Sequence, residues 1–362
     1  MLLSKFYRLG DGFFSMPNEI QVEILCCLQA SDILSLRLTS RSMLELLGIN
    51  ASVLTRVILG KSALGNDPFY LKELYPLEKK QEDLSFLLHM MHREKIVSKM
   101  IYTIGEYIER KVEGIKTQYG HDEFAPSRDR LQRRLQKPVA IIYHYLEQYR
   151  IGLAKRMQDI KTDKTLALSA KKNGIDVYIQ EDIVRAVPHH LFIQVFNAYR
   201  ILIAGLRQKV RPPTYAGTIE RKLRGWDGTP ATDADVSLIV LCGGMEDILK
   251  IMRGRKYSSR METLVTATRK FAPGNELDGP KIVKDFYTHL PWQAVQALSE
   301  RMDNICLSNL YTPWFRVYVR RHNAPTAEEA KRLGESIQSP FDYLEELLGE
   351  KEPSTGPDNP NQ

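Results

Sequence analysis

Ser15 to Leu47 reads SMPNEIQVEILCCLQASDILSLRLTSRSMLELL, and this stretch decides what kind of fold the chain begins with. Proline has its φ angle fixed near the helical value and no amide hydrogen to lose, so Pro17 suits the start of a helix. Ile20, Ile24 and Leu28 then recur at every fourth position, with Leu25 beside them. Asn18, Glu19, Gln21 and Glu23 take the other side, so the spacing predicts an amphipathic helix with its isoleucines on the apolar face. Ser31 and Asp32 supply cap chemistry for a second helix carrying Ile33, Leu34, Leu36 and Leu38. Ser40–Arg41 leads into a third piece, Met43 to Leu47. A unit of about 35 residues has little interior of its own. Much of its apolar surface must therefore meet either the rest of the chain or a partner.

Beyond this unit, helical periodicity dominates and strand alternation is scarce, so the expected fold class is all-α. Helices are predicted over 84–119 (one or two), 138–160, 188–210, 233–253, 258–271, 281–290, 291–310 and 327–348. Pro138 is placed in a first helical turn, Pro212–Pro213 closes the 188–210 helix, and Gly243–Gly244 breaks or kinks the next. Connections are expected near 120–130, 162–187 and 211–231, and Ile175 to Val187 reads equally as a strand or a helix. The expected organisation is a three-helix unit over 13–52 and a large multi-helix domain over 53–348, with a further division open near 162–187. The polar, proline-rich residues 349–362 read as a disordered tail. No repeat with a period of 20 to 50 residues is visible.

The 362 residues include 51 lysines and arginines against 44 aspartates and glutamates, a net charge of +7. The surplus is local: residues 89–172 carry 18 basic and 10 acidic side chains, whereas 173–362 carry 24 of each. That segment reads either as solvated helix faces or as a patch for nucleic acid or an acidic partner, with Arg130, Arg133 and Arg134 at its centre. No aromatic-interleaved basic motif accompanies it, which makes nucleic acid the less favoured partner. No run approaches the roughly 18 apolar residues of a membrane span. Lys5, Arg8 and Asp11 interrupt the N-terminal apolar residues, so neither secretion nor membrane association is expected.

Catalytic and metal chemistry leave little trace. There is no phosphate-cradling Gly-rich loop ending in Gly-Lys and no dinucleotide glycine fingerprint. His89 and His92 stand three apart without a marked third ligand, and the four cysteines lack zinc spacing, so no metal and no cofactor are expected. Cys26, Cys27 and Cys242 read as small apolar residues, and His189–His190 as capping or packing residues. Gly225-Trp226-Asp227-Gly228 permits a tight turn that presents Trp226, a recognition candidate, although a buried, loop-pinning tryptophan fits the sequence equally well. Trp292 and Trp314 each adjoin a proline and read as core residues at helix ends.

Met16-Pro17-Asn18-Glu19-Ile20, Ile24-Leu25, Leu28, Asp32-Ile33-Leu34, Leu36-Arg37-Leu38 and Ser40-Arg41, in that order and spacing, resemble the F-box. The phrase Leu36-Arg37-Leu38-Thr39-Ser40-Arg41 is similar to the variant common in fungal members. Met16 stands where leucine is usual, and Met43 stands near a position where many members carry tryptophan. The resemblance covers about a tenth of the chain. It implies docking to the Skp-type adaptor of a cullin-RING ubiquitin ligase, in the cytoplasm or nucleus, with no cofactor and no catalysis by this chain. The adaptor-facing residues it implies are Met16, Pro17, Ile20, Ile24, Leu28, Ile33, Leu34 and Leu38. The remainder of the chain would hold an unspecified protein substrate, with Trp226, Arg130, Arg133 and Arg134 as candidate contacts. The alternative is an F-box-like regulatory protein outside ubiquitin ligation, contacting nucleic acid or an acidic partner through 89–172.

Overall fold

Local chemistry sets the helix boundaries in the N-terminal part. Pro17 caps the helix Asn18–Cys27 with its backbone extended, and its carbonyl accepts from the amides of Ile20 and Gln21 at 3.0 and 3.1 Å. The Ser40 hydroxyl accepts from the Met43 amide at 3.1 Å and so satisfies one of the free donors at the start of Arg41–Ile49. Asn50 separates that helix from the next, and its side-chain amide donates to the Leu46 carbonyl at 2.9 Å. Asn50 and Asn18 also exchange amide hydrogen bonds of 3.1 and 3.3 Å, which ties the start of one helix to the junction of two others.

The computed structural model describes residues 9–28, 30–61, 74–75, 84–111, 121–162, 175–211, 231–269, 308–323, 326, 328–329 and 331–332. In chain order the helices are α1 (Leu9–Phe14), α2 (Asn18–Cys27), α3 (Ala30–Leu36), α4 (Arg41–Ile49), α5 (Ala51–Lys61), α6 (Leu84–Lys111), α7 (His121–Thr162), α8 (Ile175–Arg185), α9 (His189–Val210) and α10 (Asp233–Leu238). A π-helical turn, Ile239–Gly243, leads into α11 (Gly244–Arg253), followed by α12 (Tyr257–Arg269) and α13 (Ser308–Arg321). No strand occurs among the described residues, and the fold is all-α. Two compact units divide the chain, Met1–Lys95 and Ile96–Gln362.

In the first unit α5 packs on α2 and α4. Leu25, Ile33, Met43, Leu47, Leu54, Ile58, Leu59, Leu87 and Met90 form its core. Met43, near the position where the resemblance would put a tryptophan, is one of these core residues.

The second unit is centred on α9, whose buried residues run from Leu191 to Val210 on several faces. Pro188 caps α9, and Arg211 is extended before Pro212, as the residue preceding a proline prefers. Trp314 of α13 is completely buried, with its ring centroid 5.3 Å from Tyr145 of α7 and 5.6, 6.0 and 5.7 Å from Phe192, Phe196 and Tyr199 of α9. It is therefore a core residue, as its sequence context indicates, but it lies in mid-helix rather than at a helix end. The Tyr145 hydroxyl donates to Gln180 Oε1 at 2.7 Å, and burial pushes its pKa well above the usual tyrosine range.

Two sequence expectations are corrected. Residues 121–130 are not a connection, and Pro138 does not open a helix: both lie within α7. Leu131, Leu135, Val139, Ile142, Leu146, Tyr149 and Leu153 are all buried at helical spacing, and this stripe continues straight through the proline. Ile175–Arg185, left open as strand or helix, is helical. The expected break at Gly243–Gly244 takes the form of the π turn, followed by Gly244 at φ +68°. Gly244 combines φ +68° with ψ −170°, a conformation essentially reserved for glycine, and a Cβ there would push against the Arg150 guanidinium. Trp226, Trp292, the predicted helix 281–290 and the tail 349–362 lie outside the described residues.

Candidate docking surface

The helix α2 carries two apolar ridges, where the sequence suggested one stripe. Leu25 is 1 % exposed and anchors the inward ridge, with Val22, Cys26 and Leu28 half-buried against the same core. Gln21, assigned to the polar side by sequence, also faces inward at 6 % exposure. Its amide donates to the Met16 carbonyl at 2.7 Å and to the Phe14 carbonyl at 3.4 Å, which ties the turn before α2 to the helix. A polar residue thus occupies a core-facing position because it holds the chain entering the helix.

The outward ridge holds the isoleucines. Met16 is 40 %, Ile20 43 % and Ile24 39 % exposed, and Pro17 is exposed beside them. Positions 17, 20 and 24 follow the three- and four-residue spacing that makes neighbours on a helix surface. Glu19 and Glu23, both exposed, lie on the same helix. Leu38, in the turn after α3, is 81 % exposed. Of the other sequence-derived candidates, Leu28 packs half-buried against the core, and the side chain of Leu34 lies outside what is described.

Ile33 is a correction. It has no exposed surface and belongs to the core formed with Leu25, Met43 and Leu47, so it holds the unit together and has nothing to offer a partner. The sequence could not separate it from Leu34 and Leu38, because three apolar residues over six positions fit either side of a short helix.

Exposed large apolar residues concentrate in this unit. Phe14, Leu44, Ile49 and Val53 join Met16, Ile20, Ile24 and Leu38, whereas the much longer second unit exposes Tyr102, Ile151, Tyr178 and Val265 among its described residues. Single exposed apolar residues are ordinary, but eight of them fall within about 40 residues here. Leu44, Ile49 and Val53 carried no signal in the motif; the first two lie on α4 and Val53 on α5.

The remaining candidates give a different picture. Arg133 on α7 is exposed and its Nε donates to the Asp129 carbonyl at 3.4 Å, while Arg130 and Arg134 are half-buried. Leu131 and Leu135 between them are buried, so this part of the basic segment is the outer side of a core helix. Among the described residues no three His, Cys, Asp or Glu side chains come close enough to hold a metal ion. No single helix among them is long and apolar enough to cross a membrane.

The family model for the F-box domain matches residues 13–50, which is α2 to α4 with the turn that precedes them. No curated protein and no solved structure matches the chain.

Proposed function

Because residues 13–50 are an F-box domain, we propose that the chain docks a Skp-type adaptor through the outward ridge of α2 and acts as a substrate receptor of a cullin-RING ubiquitin ligase. The observation that carries this reading is the exposure of Met16 and Pro17 just before α2 and of Ile20 and Ile24 on it, while Val22, Leu25 and Cys26 of the same helix pack toward the core. The ligase role itself comes from the F-box family.

Magnitudes bound how the docking works. Fully burying a large apolar side chain is worth about 1.5–3 kcal/mol. Met16, Pro17, Ile20, Ile24 and Leu38 are already partly covered, so the ridge and Leu38 contribute about 4–8 kcal/mol gross. Association costs about 4–15 kcal/mol. A tight complex therefore draws on more of the exposed set, and Phe14, Leu44, Ile49 and Val53 belong to the same unit. The chain would contribute no chemistry of its own. It would hold a target near the ubiquitin-carrying enzyme, so that rate comes from proximity. The second unit would hold the target.

The test is co-purification of the full chain with a Skp-type adaptor, followed by reconstitution with the cullin-RING core. Stoichiometric capture and ubiquitin-ligase assembly are the expected results. An adaptor that elutes separately from folded chain contradicts the reading.

A further inference from the structure

The start of α2 is held by side-chain amides and not by apolar packing. Residues 16–20 are all exposed, so no core contact fixes the end of the ridge at which docking begins. Pro17 caps α2 without a side-chain hydrogen bond. Two interior amide residues supply the hold instead. Gln21 reaches back to the Met16 and Phe14 carbonyls, at 2.7 and 3.4 Å. Asn50, between α4 and α5, exchanges hydrogen bonds of 3.1 and 3.3 Å with Asn18, the residue after Pro17. Asn50 is itself fixed, since its Nδ2 also donates to the Leu46 carbonyl at 2.9 Å. Met16 and Asn18, on either side of Pro17, are therefore tied to the unit by separate anchors.

Both anchors lie beneath the surface that a partner would cover. Gln21 is 6 % and Asn50 8 % exposed. Neither offers the apolar area that docking buries. For stability alone, an apolar residue would serve as well at such positions, because a buried amide gives up water for hydrogen bonds of small net worth. What the amides add is direction. A hydrogen bond fixes distance and angle, so these bonds set where the exposed residues 16–18 stand.

We infer that Gln21 and Asn50 are positioning residues for adaptor docking, which hold Met16, Pro17 and the first turn of α2 in the bound arrangement before the adaptor arrives. Ordering a short exposed segment on binding weakens association, whereas a segment ordered in folding adds no such cost. The apparent affinity is then not reduced by a fraction of chain whose ridge is out of place. Asn18 is the exposed member of its pair and acts through Asn50. This inference rests on the docking proposal and adds to it two buried residues that touch no partner.

The experiment titrates a Skp-type adaptor into the full chain and its variants by calorimetry, well below their melting temperatures. Gln21→Met keeps the length of the side chain and removes its hydrogen bonds, and Asn50→Ala removes the other anchor. Each should lower adaptor affinity about fivefold to tenfold in folded chain. Asn18→Ala/Asn50→Ala should bind no more weakly than Asn50→Ala, because the pair is one anchor. Asn18→Asp keeps the acceptor for Asn50 Nδ2 and should stay within about twofold of the unmutated chain. A lowered melting temperature with unchanged affinity would make both residues merely structural and overturn the inference. Amide hydrogen exchange on the unmutated chain needs no variant to fold. The Ile20 and Gln21 amides, which donate to the Pro17 carbonyl at 3.0 and 3.1 Å, should be protected before adaptor is added. Exchange at unprotected rates until the adaptor binds would also overturn the inference. An unmutated chain that does not bind contradicts the docking proposal itself, and the positioning role falls with it.

Discussion

Ile20 and Ile33 are both β-branched residues of one motif with opposite roles. Ile33 is completely buried in the first unit's core, while Ile20 is 43 % exposed on the ridge. Ile33→Ala removes packed methyl groups and is expected to cost about 2–5 kcal/mol of stability. Ile20→Ala should leave stability within about 0.5 kcal/mol and weaken only adaptor binding. Thermal melting of the two variants beside adaptor titrations checks this, and equal destabilisation by both would show that the ridge is packed. In the second unit, Gly244 has φ +68° and stands against the Arg150 guanidinium, whose Nε and Nη1 donate to the Leu146 and Gly243 carbonyls at 3.2 and 3.4 Å. Gly244→Ala costs roughly 1–3 kcal/mol for the backbone alone, because φ +68° with ψ −170° is essentially a glycine conformation. It also displaces a buried arginine, so the expected loss in chemical denaturation exceeds about 2 kcal/mol.

At the scale of elements, most helices were legible because each carries its own periodicity and its own boundary chemistry. Ser40 illustrates the second. Its hydroxyl is the side-chain cap of α4, and Ser40→Ala should lower stability by about 1 kcal/mol while leaving the ridge of α2 in place. Thr232 and Asp235 form the corresponding reciprocal cap at α10, with hydrogen bonds of 2.8 and 3.1 Å. Pro138 misled the reading of α7, because a proline favours a first turn as a local preference but does not outweigh a buried stripe running from Leu131 to Leu153. The direction of α2 was not legible for a related reason. A helix with apolar residues at 20, 24, 25 and 28 can bury either ridge, and only the core supplied by α3, α4, α5 and α6 settles that Leu25 turns inward. The motif itself was legible from residue order. That its isoleucines stay exposed was not, since spacing does not distinguish a core face from a docking face.

For the whole molecule, the contrast between the two units carries the functional account. The second unit buries its large apolar residues around α9 and Trp314, and pairs the buried Glu181 carboxylate with Arg316 and Arg320. The first unit keeps isoleucine, methionine and leucine at its surface, where water contact is unfavourable unless a partner removes it. The most direct test is calorimetric titration of a Skp-type adaptor into the full chain and into Ile20→Asp/Ile24→Asp, with helical content and melting recorded for both. The account predicts that the double variant keeps its melting temperature within a few degrees, because neither side chain belongs to the core. Its adaptor affinity should fall by at least about a hundredfold, because two carboxylates must then be desolvated on docking. Unchanged affinity in the folded variant would contradict the assignment of the α2 ridge as the docking surface.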